Sequence, residues 1–467
     1  MNAGRQCHAV VMATLVIASG YIAAVAGERT NVRGLGMGGA SVALSSGTDA
    51  VGVNPANLAL PEGGKFSLSL LPVAVRVGSD FLTYGLYTRY FTGVATDSGR
   101  VGRNLSDADK SRIFNGFPGD VGRVEAVAEA RPVGLMIRME RIGTFALTVT
   151  ETAGGDMILP HDYARFLLYG NPLGSSLDFT RTRAQASWLR EYAVSFGRDL
   201  PPLGPLQSLT GGISLKIIHG YGYYELGSTN TRLVTSSDGT LRANVNAYSR
   251  SAGVKQFEGD GGPGYSLFPA PAGSGLGLDL GVAGRVNEFL RLGFSVTDVG
   301  SIRWKRGLEE SRCDTVISVD DPFNSNLDDL IHGALKATTR EGTAFSTGLP
   351  TTFRLGFGLA LHKLPLTKGF LFGELDLAVE FDHCVEETPL VPRGSRFSVG
   401  MEYRPWEFLP LRTGVSVGGP GHGSLALGIG LHLGVFVLDV ASEDIGWLFS
   451  RDTFSYGSAA VGMRLQL

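Results

Sequence analysis

A strict two-residue alternation of apolar and polar side chains recurs along this chain and limits its possible folds more than any other feature. In its clearest copy, Phe353, Leu355, Phe357, Leu359 and Leu361 alternate with Arg354, Gly356, Gly358, Ala360 and His362. Only an extended strand places alternate residues on opposite faces, so the pattern predicts β-strands with one apolar and one polar face. Further copies lie at residues 374–382, 396–404, 212–217 and 277–282, with weaker ones near 145–149 and 292–296.

The alternation alone does not show which face is covered, because a soluble sandwich or barrel inverts the same pattern. Strand length favours a membrane, since the candidate strands run about 8 to 13 residues, near the length that a tilted strand needs to cross a bilayer. The polar faces carry glycines and charges of both signs, which suits a watery lumen. A closed barrel also leaves no unpaired sheet edge. The predicted fold class is therefore all-β, a transmembrane antiparallel β-barrel.

The N-terminus has the pattern of a secretory leader. Arg5 supplies a positive charge, residues 9–24 form an apolar run, and Ala24-Val25-Ala26 offers a small-x-small cleavage pattern. The apolar run falls short of the roughly 20 residues that a membrane-spanning anchor requires. We expect residues 1–26 to be a signal peptide, with the mature chain beginning at Gly27.

The composition agrees with a single large barrel. Charged residues make up 18% of the chain, against about 25% in soluble domains, and no Pro-rich or Ser-rich linker divides it. We therefore assign residues 65–467 to one barrel. The net charge of -3 gives no reason to expect nucleic acid as a partner.

The number of strands follows from counting back from the C-terminus. If the last strand, about 458–467, ends in the periplasm, short turns fall on that side and longer connections fall outside, the asymmetry of bacterial barrels. Upstream strands are predicted near 65–77, 132–139, 142–150, 186–198 and 211–224. The count is then fourteen, with residues 231–248 treated as a hairpin in an external loop. If that hairpin belonged to the wall, the count would be sixteen.

A glycine-rich motif follows the leader. Gly34, Gly36 and Gly39 satisfy the G-x-G-x-x-G spacing of dinucleotide-binding loops. That interpretation needs an apolar strand directly before the first glycine, whereas residues 27–32 are mostly polar. No helix-length periodic segment follows either, so nucleotide binding is disfavoured.

Taken together, the Gly-Met-Gly-Gly-Ala run at 36–40, the Asp49-Ala50 pair and the Asn54-Pro55-Ala56 turn resemble the start of the FadL family of outer-membrane barrels. The resemblance implies fourteen strands and an N-terminal hatch, residues 27–64, folded into the lumen. Its hatch or gating residues would be Gly36, Met37, Gly38, Gly39, Asn54 and Pro55. A plain flexible lead-in stays open as an alternative. For Asn54, an Asx-turn to its own backbone is favoured over a ligand contact.

The resemblance also implies a function. FadL-like proteins are channels or transporters for hydrophobic small molecules such as fatty acids, whereas PorV-type relatives act as partners of a protein secretion or surface-attachment system. The expected partners are therefore outer-membrane lipid and either a hydrophobic small molecule or secretion-system proteins. Members of the family usually end in an aromatic residue, whereas this sequence ends in Leu467.

Charges on the inward faces of the predicted strands have two interpretations. The basic residues could draw a carboxylate inward, but acidic residues share the same faces, so a self-neutralising network is favoured, as charges inside membrane walls usually pair. The predicted lumen charges are Arg138, Lys216, Arg354, Glu374, Asp376, Glu380, Arg396, Glu402, Arg404 and Arg412.

Catalytic signatures are missing from the sequence, which contains no G-x-S-x-G, H-E-x-x-H, C-x-x-C or P-loop pattern. We therefore expect no enzyme, cofactor or metal site. The acidic run from Asp320 to Asp329 is interpreted as a solvated loop and not as a Ca²⁺ site. Cys313 and Cys384 are predicted to form an external disulfide, with two buried free thiols as the alternative. Residues 390–395 coincide with a commonly engineered protease-cleavage linker, which we interpret as chance.

Overall fold

The computed structural model describes residues 29–97, 99–257, 269–319, 338–367, 369, 371–391, 393–419, 423–449 and 452–467. The predicted signal peptide, residues 1–26, and the acidic run 320–329 lie outside these residues.

The described chain closes into a barrel of fourteen antiparallel wall strands, which confirms the predicted fold class and strand count. Every wall strand pairs with its neighbours in chain order, and the last pairs with the first. The wall strands are β1 Phe66–Ser79, β2 Val121–Met139, β3 Gly143–Pro160, β4 Arg183–Leu200, β5 Ser208–Ser228, β6 Gly273–Arg285, β7 Leu290–Trp304, β8 Thr352–Ala360, β9 Glu374–Cys384, β10 Gly394–Trp406, β11 Leu409–Gly418, β12 Ser424–Leu433, β13 Phe436–Ser442 and β14 Tyr456–Gln466.

Strand β8 shows why the sequence adopts this wall. Its apolar residues Phe353, Leu355 and Phe357 are 43%, 58% and 38% exposed, whereas Arg354 between them is only 5% exposed. The apolar face therefore points away from the barrel and the charged face points into it. This is the reverse of a soluble sheet and is the arrangement expected of a wall surrounded by hydrocarbon.

The two ends of the barrel differ in the length of their connections. One end, the short-turn end, carries brief links such as 140–142, 407–408 and 434–435. The other, the long-loop end, carries the connections 80–120, 161–182, 229–272, 305–351, 385–393 and 443–455, together with the short link 419–423. The upstream strands were predicted too short, because β2 to β5 extend further towards the long-loop end. There the small residues Ala126, Ala128 and Ala130 on β2 give no strong apolar alternation.

Additional strands project beyond the wall at the long-loop end. Arg232–Thr235 and Leu241–Ala252 form the predicted external hairpin, so the alternative count of sixteen is wrong. The remaining external strands are Val94–Thr96, Gly99–Val101, Ser176–Asp178, Leu308–Val319, Thr338–Glu341 and Phe345–Gly348.

Helices are short and lie either before the first wall strand or in the connections between strands. The α-helices are Val32–Gly36, Tyr84–Tyr90, Asp107–Phe114, Asp162–Tyr169 and Gly446–Phe449, and the 3₁₀ turns are Gly47–Ala50, Pro55–Ala59, Pro61–Gly63, Val254–Phe257 and Leu361–Lys363. Within the described ranges, none of these helices has the length and apolar character needed to span a bilayer.

The predicted disulfide is not formed. Cys384 is a free, buried cysteine at the end of β9, and its Sγ donates to the backbone oxygen of Glu386 at 3.2 Å. Cys313 lies opposite Ala247 in the external strand pair. The prediction placed both thiols correctly at the long-loop end, but it had no information on which part of that end each would occupy.

Candidate functional site

Residues 29–64, which we call the plug segment, fill the interior of the barrel. Arg33 binds Glu402 of β10, Asn54 donates to the backbone oxygen of Val282 on β6, and the backbone oxygen of Thr48 accepts from Arg131 of β2. These three strands are spread around the fourteen-strand wall, so one short segment reaches all of them only from inside. Irregular backbone at membrane depth is tolerated only where protein or a watery cavity surrounds it.

The predicted gating residues lie in this segment and contact the wall closely. Met37 is buried between β10 and β11, where it faces Gly400 and Gly414. Gly38 and Gly39 adopt φ angles of +67° and +92°, conformations that glycine accepts without strain. Gly36 lies against Gly428 of β12, close enough that a Cβ on Gly36 would come within 3.1 Å of the Cα of Gly428.

Asn54 and Pro55 fix the second half of the plug segment. The Oδ1 atom of Asn54 accepts from the backbone N–H of Ala56 at 3.2 Å, which is the Asx-turn that the sequence favoured. Its Nδ2 donates to the backbone oxygens of Val42 and Val282. Asn54 is therefore fully occupied by backbone groups and serves the shape of the plug segment.

Glycines on the wall make room for the plug segment, and the sequence analysis did not find them. A Cβ on Gly212 of β5 would lie 2.2 Å from the carbonyl carbon of Pro55, and one on Gly414 of β11 would lie 2.2 Å from that of Met37. Both glycines occupy inward positions on their strands. Inward glycines within an alternating strand were the signal that could have indicated close approach of another backbone.

Ion pairs hold the plug segment against β10 to β14. Arg33 forms a two-pronged pair with Glu402, and Asp49 pairs with Arg464 of β14. The wall groups are linked in turn, because Arg412 bridges Glu402 and Asp439. All these groups are largely buried, so a substitution that leaves one of them unpaired costs about 3–5 kcal/mol.

A further pair closes the network at the long-loop end. Arg29 donates to Glu443, just beyond β13, at 2.5 Å. Burial would raise the pKa of Glu443, but the guanidinium groups of Arg29, Arg76 and Arg396 outweigh it and lower that pKa to about 2. Glu443 is therefore ionised across the physiological range and holds the beginning of the described plug segment.

The side of the plug segment that faces β1 to β3 is held by hydrogen bonds. Glu129 accepts from the backbone N–H of Thr30, and Arg131 donates to the backbone oxygen of Thr48. Among the described residues, however, Glu129 Oε2, Arg131 Nε and Thr148 Oγ1 are buried without a hydrogen-bond partner. Buried polar atoms of this kind are usually satisfied by ordered water or a ligand.

The wall itself is interrupted on that same side, at what we call the seam. Strands β1 and β2 pair at Ser69 with Gly134 and again at Val73 with Ala130, but the three positions between are unpaired in the described ladder. Pro72 and Pro132 lie in this gap, and neither proline has an N–H to donate. Leu71 adopts φ +49°, so the backbone of β1 departs locally from extended geometry.

The ten predicted lumen charges all lie on inward faces. Nine of them form ion pairs, such as Lys216 with Asp298 at 2.7 Å and Arg396 with Asp382 at 2.8 Å. The tenth, Arg138, donates to the backbone oxygens of Leu58 and Leu60 in the plug segment. The others are Arg354 with Glu380, Arg404 with Glu374, Asp376 and Glu402, and Arg412 with Glu402.

A cavity of about 100 Å³, the outer cavity, lies between the plug segment and the long-loop end. Arg29, Arg76 and Glu125 line one part of it, and Val127 and Leu390 contribute apolar surface. Arg29 pairs with Glu443, and Arg76 pairs with Glu125 at 3.6 Å. The cavity therefore combines paired guanidinium and carboxylate groups with apolar walls.

Solved structures share this fold. The TodX deltaS2S3 mutant, a monoaromatic hydrocarbon channel, aligns with a TM-score of 0.51 at 10% identity, over 93% of this chain and 98% of that chain. This likeness shows a FadL-like barrel. Two others also align: the Ralstonia pickettii toluene transporter TbuX (TM-score 0.46, 13% identity, 92% and 97% covered) and a Pseudomonas aeruginosa FadL homologue (0.43, 11%, 96% and 99%).

At the level of sequence, the model of a family described as "Family of unknown function (DUF5723)" matches residues 55–443. The comparison with curated proteins gave no match.

Proposed function

This chain belongs to the family of unknown function DUF5723, and we propose that it is an outer-membrane channel that admits hydrophobic small molecules past the plug segment. The exposed apolar face of the wall needs hydrocarbon around it, which supports an outer-membrane location. The FadL-like fold agrees with that location. Because the plug segment fills the lumen, an open central pore is disfavoured.

The observation that carries this proposal is the seam between β1 and β2. It lies beside Glu129 and Arg131, two inward residues of β2 that bond the plug segment and that each keep one buried polar atom without a hydrogen bond among the described residues. The exposed side chains Leu71 and Val133 flank it on the lipid side. A hydrophobic molecule that enters from the long-loop end would thus leave sideways into the bilayer through this gap.

The outer cavity favours a cargo with a polar head. The guanidinium groups of Arg29, Arg76 and Arg123 line the cavity, and a carboxylate or another oxygen acceptor binds such groups, whereas a plain hydrocarbon makes no polar contact with them. Leu390 and Val127 offer apolar surface for the remainder of such a molecule. A fatty acid has both parts and is the cargo that we propose.

The test uses purified protein in liposomes and measures oleate uptake, with the seam closed by a disulfide. Leu70→Cys and Val133→Cys both lie in the gap, each one residue beyond the Ser69–Gly134 pair, in a chain that also carries Cys313→Ser and Cys384→Ser. We expect oxidation to reduce uptake at least about tenfold and reduction to restore it. The matched control, Leu355→Cys with Phe381→Cys, places a disulfide across the ordinary β8–β9 ladder and should leave uptake unchanged.

Two outcomes would contradict the proposal. If the oxidised seam variant takes up oleate as fast as the reduced one, the route does not pass between β1 and β2. If liposomes with the unaltered protein are no faster than empty ones, fatty-acid transport is wrong. That second result would favour the alternative role as an outer-membrane partner of a secretion or surface-attachment system.

A further inference from the structure

The connection between β9 and β10 extends across the barrel, away from the two strands that it joins. Residues 385–391, which we call the strap, reach Arg123 on β2 and Arg183 on β4 through Glu387, at 3.7 and 3.0 Å. Gln185 of β4 also donates to the backbone oxygen of Thr388 at 3.3 Å. In a closed wall of fourteen strands, β9 and β10 lie almost directly opposite β2 to β4. The strap therefore crosses the mouth of the barrel.

The tip of the strap is folded into the barrel. Leu390 is 3% exposed and belongs to a buried cluster with Leu189, Ile218 and Trp304, and Val391 packs against the same cluster. The Thr388 hydroxyl accepts from the backbone N–H of Val391 at 3.0 Å, which keeps the tip in a closed turn. Strap residues Thr388, Leu390 and Val391 also line the outer cavity.

We propose that the strap is the outer gate of the barrel: it covers the outer cavity, and Leu390 occupies apolar surface that an entering ligand would take. The inference rests on the proposed function, because it concerns entry to the same cavity. The latch is weak. Glu387 and Arg183 have side chains 36% and 34% exposed, and ion pairs that are partly in water contribute little. Burial of the tip opposes opening of the strap, whereas a ligand that replaces the apolar contacts of the tip favours opening.

The chain contains its own reporter for this movement. Residues 390–395 have the recognition sequence of thrombin, with cleavage after Arg393, and Pro392 of this sequence lies outside the described residues. Thrombin binds residues 390–393 in its cleft before cutting. With Leu390 buried and Val391 half-buried in the closed strap, cleavage requires the strap to open. When opening is fast relative to cleavage, the rate follows the open population.

The experiment exposes the folded, detergent-solubilised protein to thrombin and follows the fragment that begins at Gly394. We expect the unaltered protein to be cut at least about twentyfold more slowly than the heat-unfolded chain. Glu387→Gln, which lies outside the cleavage sequence, should be cut about two- to fivefold faster than the unaltered protein. Combining it with Gln185→Ala should add to that increase. The control Asp120→Asn removes another long-loop ion pair, with Arg181 at 3.1 Å, and should not change the rate.

The proposal is overturned if the folded barrel is cut as fast as the unfolded chain, or if Glu387→Gln is cut no faster than Asp120→Asn. Adding oleate should speed cleavage of the unaltered protein, and no acceleration would contradict a ligand-operated gate. Protection of the strap from thrombin in the absence of ligand does not depend on whether the barrel transports oleate. A barrel that resists thrombin but carries no oleate would therefore refute the proposed function alone, and one that carries oleate with an unprotected strap would refute the gate alone.

Discussion

Arg33 and Glu402 form a fork-to-fork ion pair inside the barrel. The Nε and Nη2 atoms of Arg33 donate to the two separate carboxylate oxygens of Glu402, each at 2.9 Å. Such paired bonds fix orientation as well as distance. Arg33 lies in the plug segment and Glu402 on β10, so this pair sets the position of the first half of the plug segment against the wall.

Breaking this pair should loosen the plug segment. We expect Arg33→Gln to raise single-channel ion conductance in planar bilayers and to lower stability by about 1.5–3 kcal/mol, because Glu402 loses two charge-assisted hydrogen bonds but keeps Arg404 and Arg412 as partners. Arg33→Lys keeps the charge but not the planar fork, so an intermediate conductance is expected. Lys65→Gln, which removes an exposed pair with Glu140, is the control. Conductance equal to that of the unaltered protein would show that Arg33 does not hold the plug segment.

The wall glycines should tolerate no side chain where the plug segment passes. Gly414→Ala places a methyl group against the backbone of Met37, and overpacking of this kind costs about 1–3 kcal/mol. Thermal unfolding in detergent measures the loss. Gly102→Ala, in an external loop with open space around it, is the matched substitution and should have little effect. Equal midpoints for the two variants would contradict the close contact between β11 and the plug segment.

Stability should depend on pH through Asp444, next to the Arg29–Glu443 pair. Burial raises the pKa of Asp444 to about 7, with Glu443 and Glu125 adding to the rise against Arg76 and Arg29. The folded-state pKa exceeds the unfolded value of about 3.9, so its ionisation destabilises the fold as pH rises from about 4 to 7. We expect Asp444→Asn to raise the unfolding midpoint at pH 8 but not at pH 4. A midpoint gain that is the same at both values would contradict this assignment.

The barrel wall could be predicted from the sequence because its signal is local. The alternation of Phe353 to Phe357 with Arg354 and Gly356 requires only neighbouring residues, and the parity of the strands then gave both the count and the two ends. The upstream bounds were wrong where small residues weaken the alternation, as at Ala126 and Ala128.

The interior could not be predicted in the same way, because it depends on contacts between distant parts of the chain. Nothing near Gly212 indicates that Pro55 will lie against it, and nothing near Pro72 indicates that Pro132 will lie in the same gap of the ladder. Similarly, parity placed Cys313 and Cys384 at the same end of the barrel but could not place them beside each other. The hatch role of residues 27–64 came from the resemblance and stays a prediction.

The central claim is that β8 separates hydrocarbon outside from the plug segment inside. The most direct measurement attaches spin labels singly at residues 352, 353, 354, 355 and 357, with Cys313 and Cys384 replaced by serine, in protein reconstituted into bilayers. We predict that labels at 353, 355 and 357 collide strongly with oxygen, which concentrates in lipid, and that labels at 352 and 354 do so weakly, because Thr352 and Arg354 face the interior and are 7% and 5% exposed. Equal oxygen collision along the series, or an inverted pattern, would contradict the account.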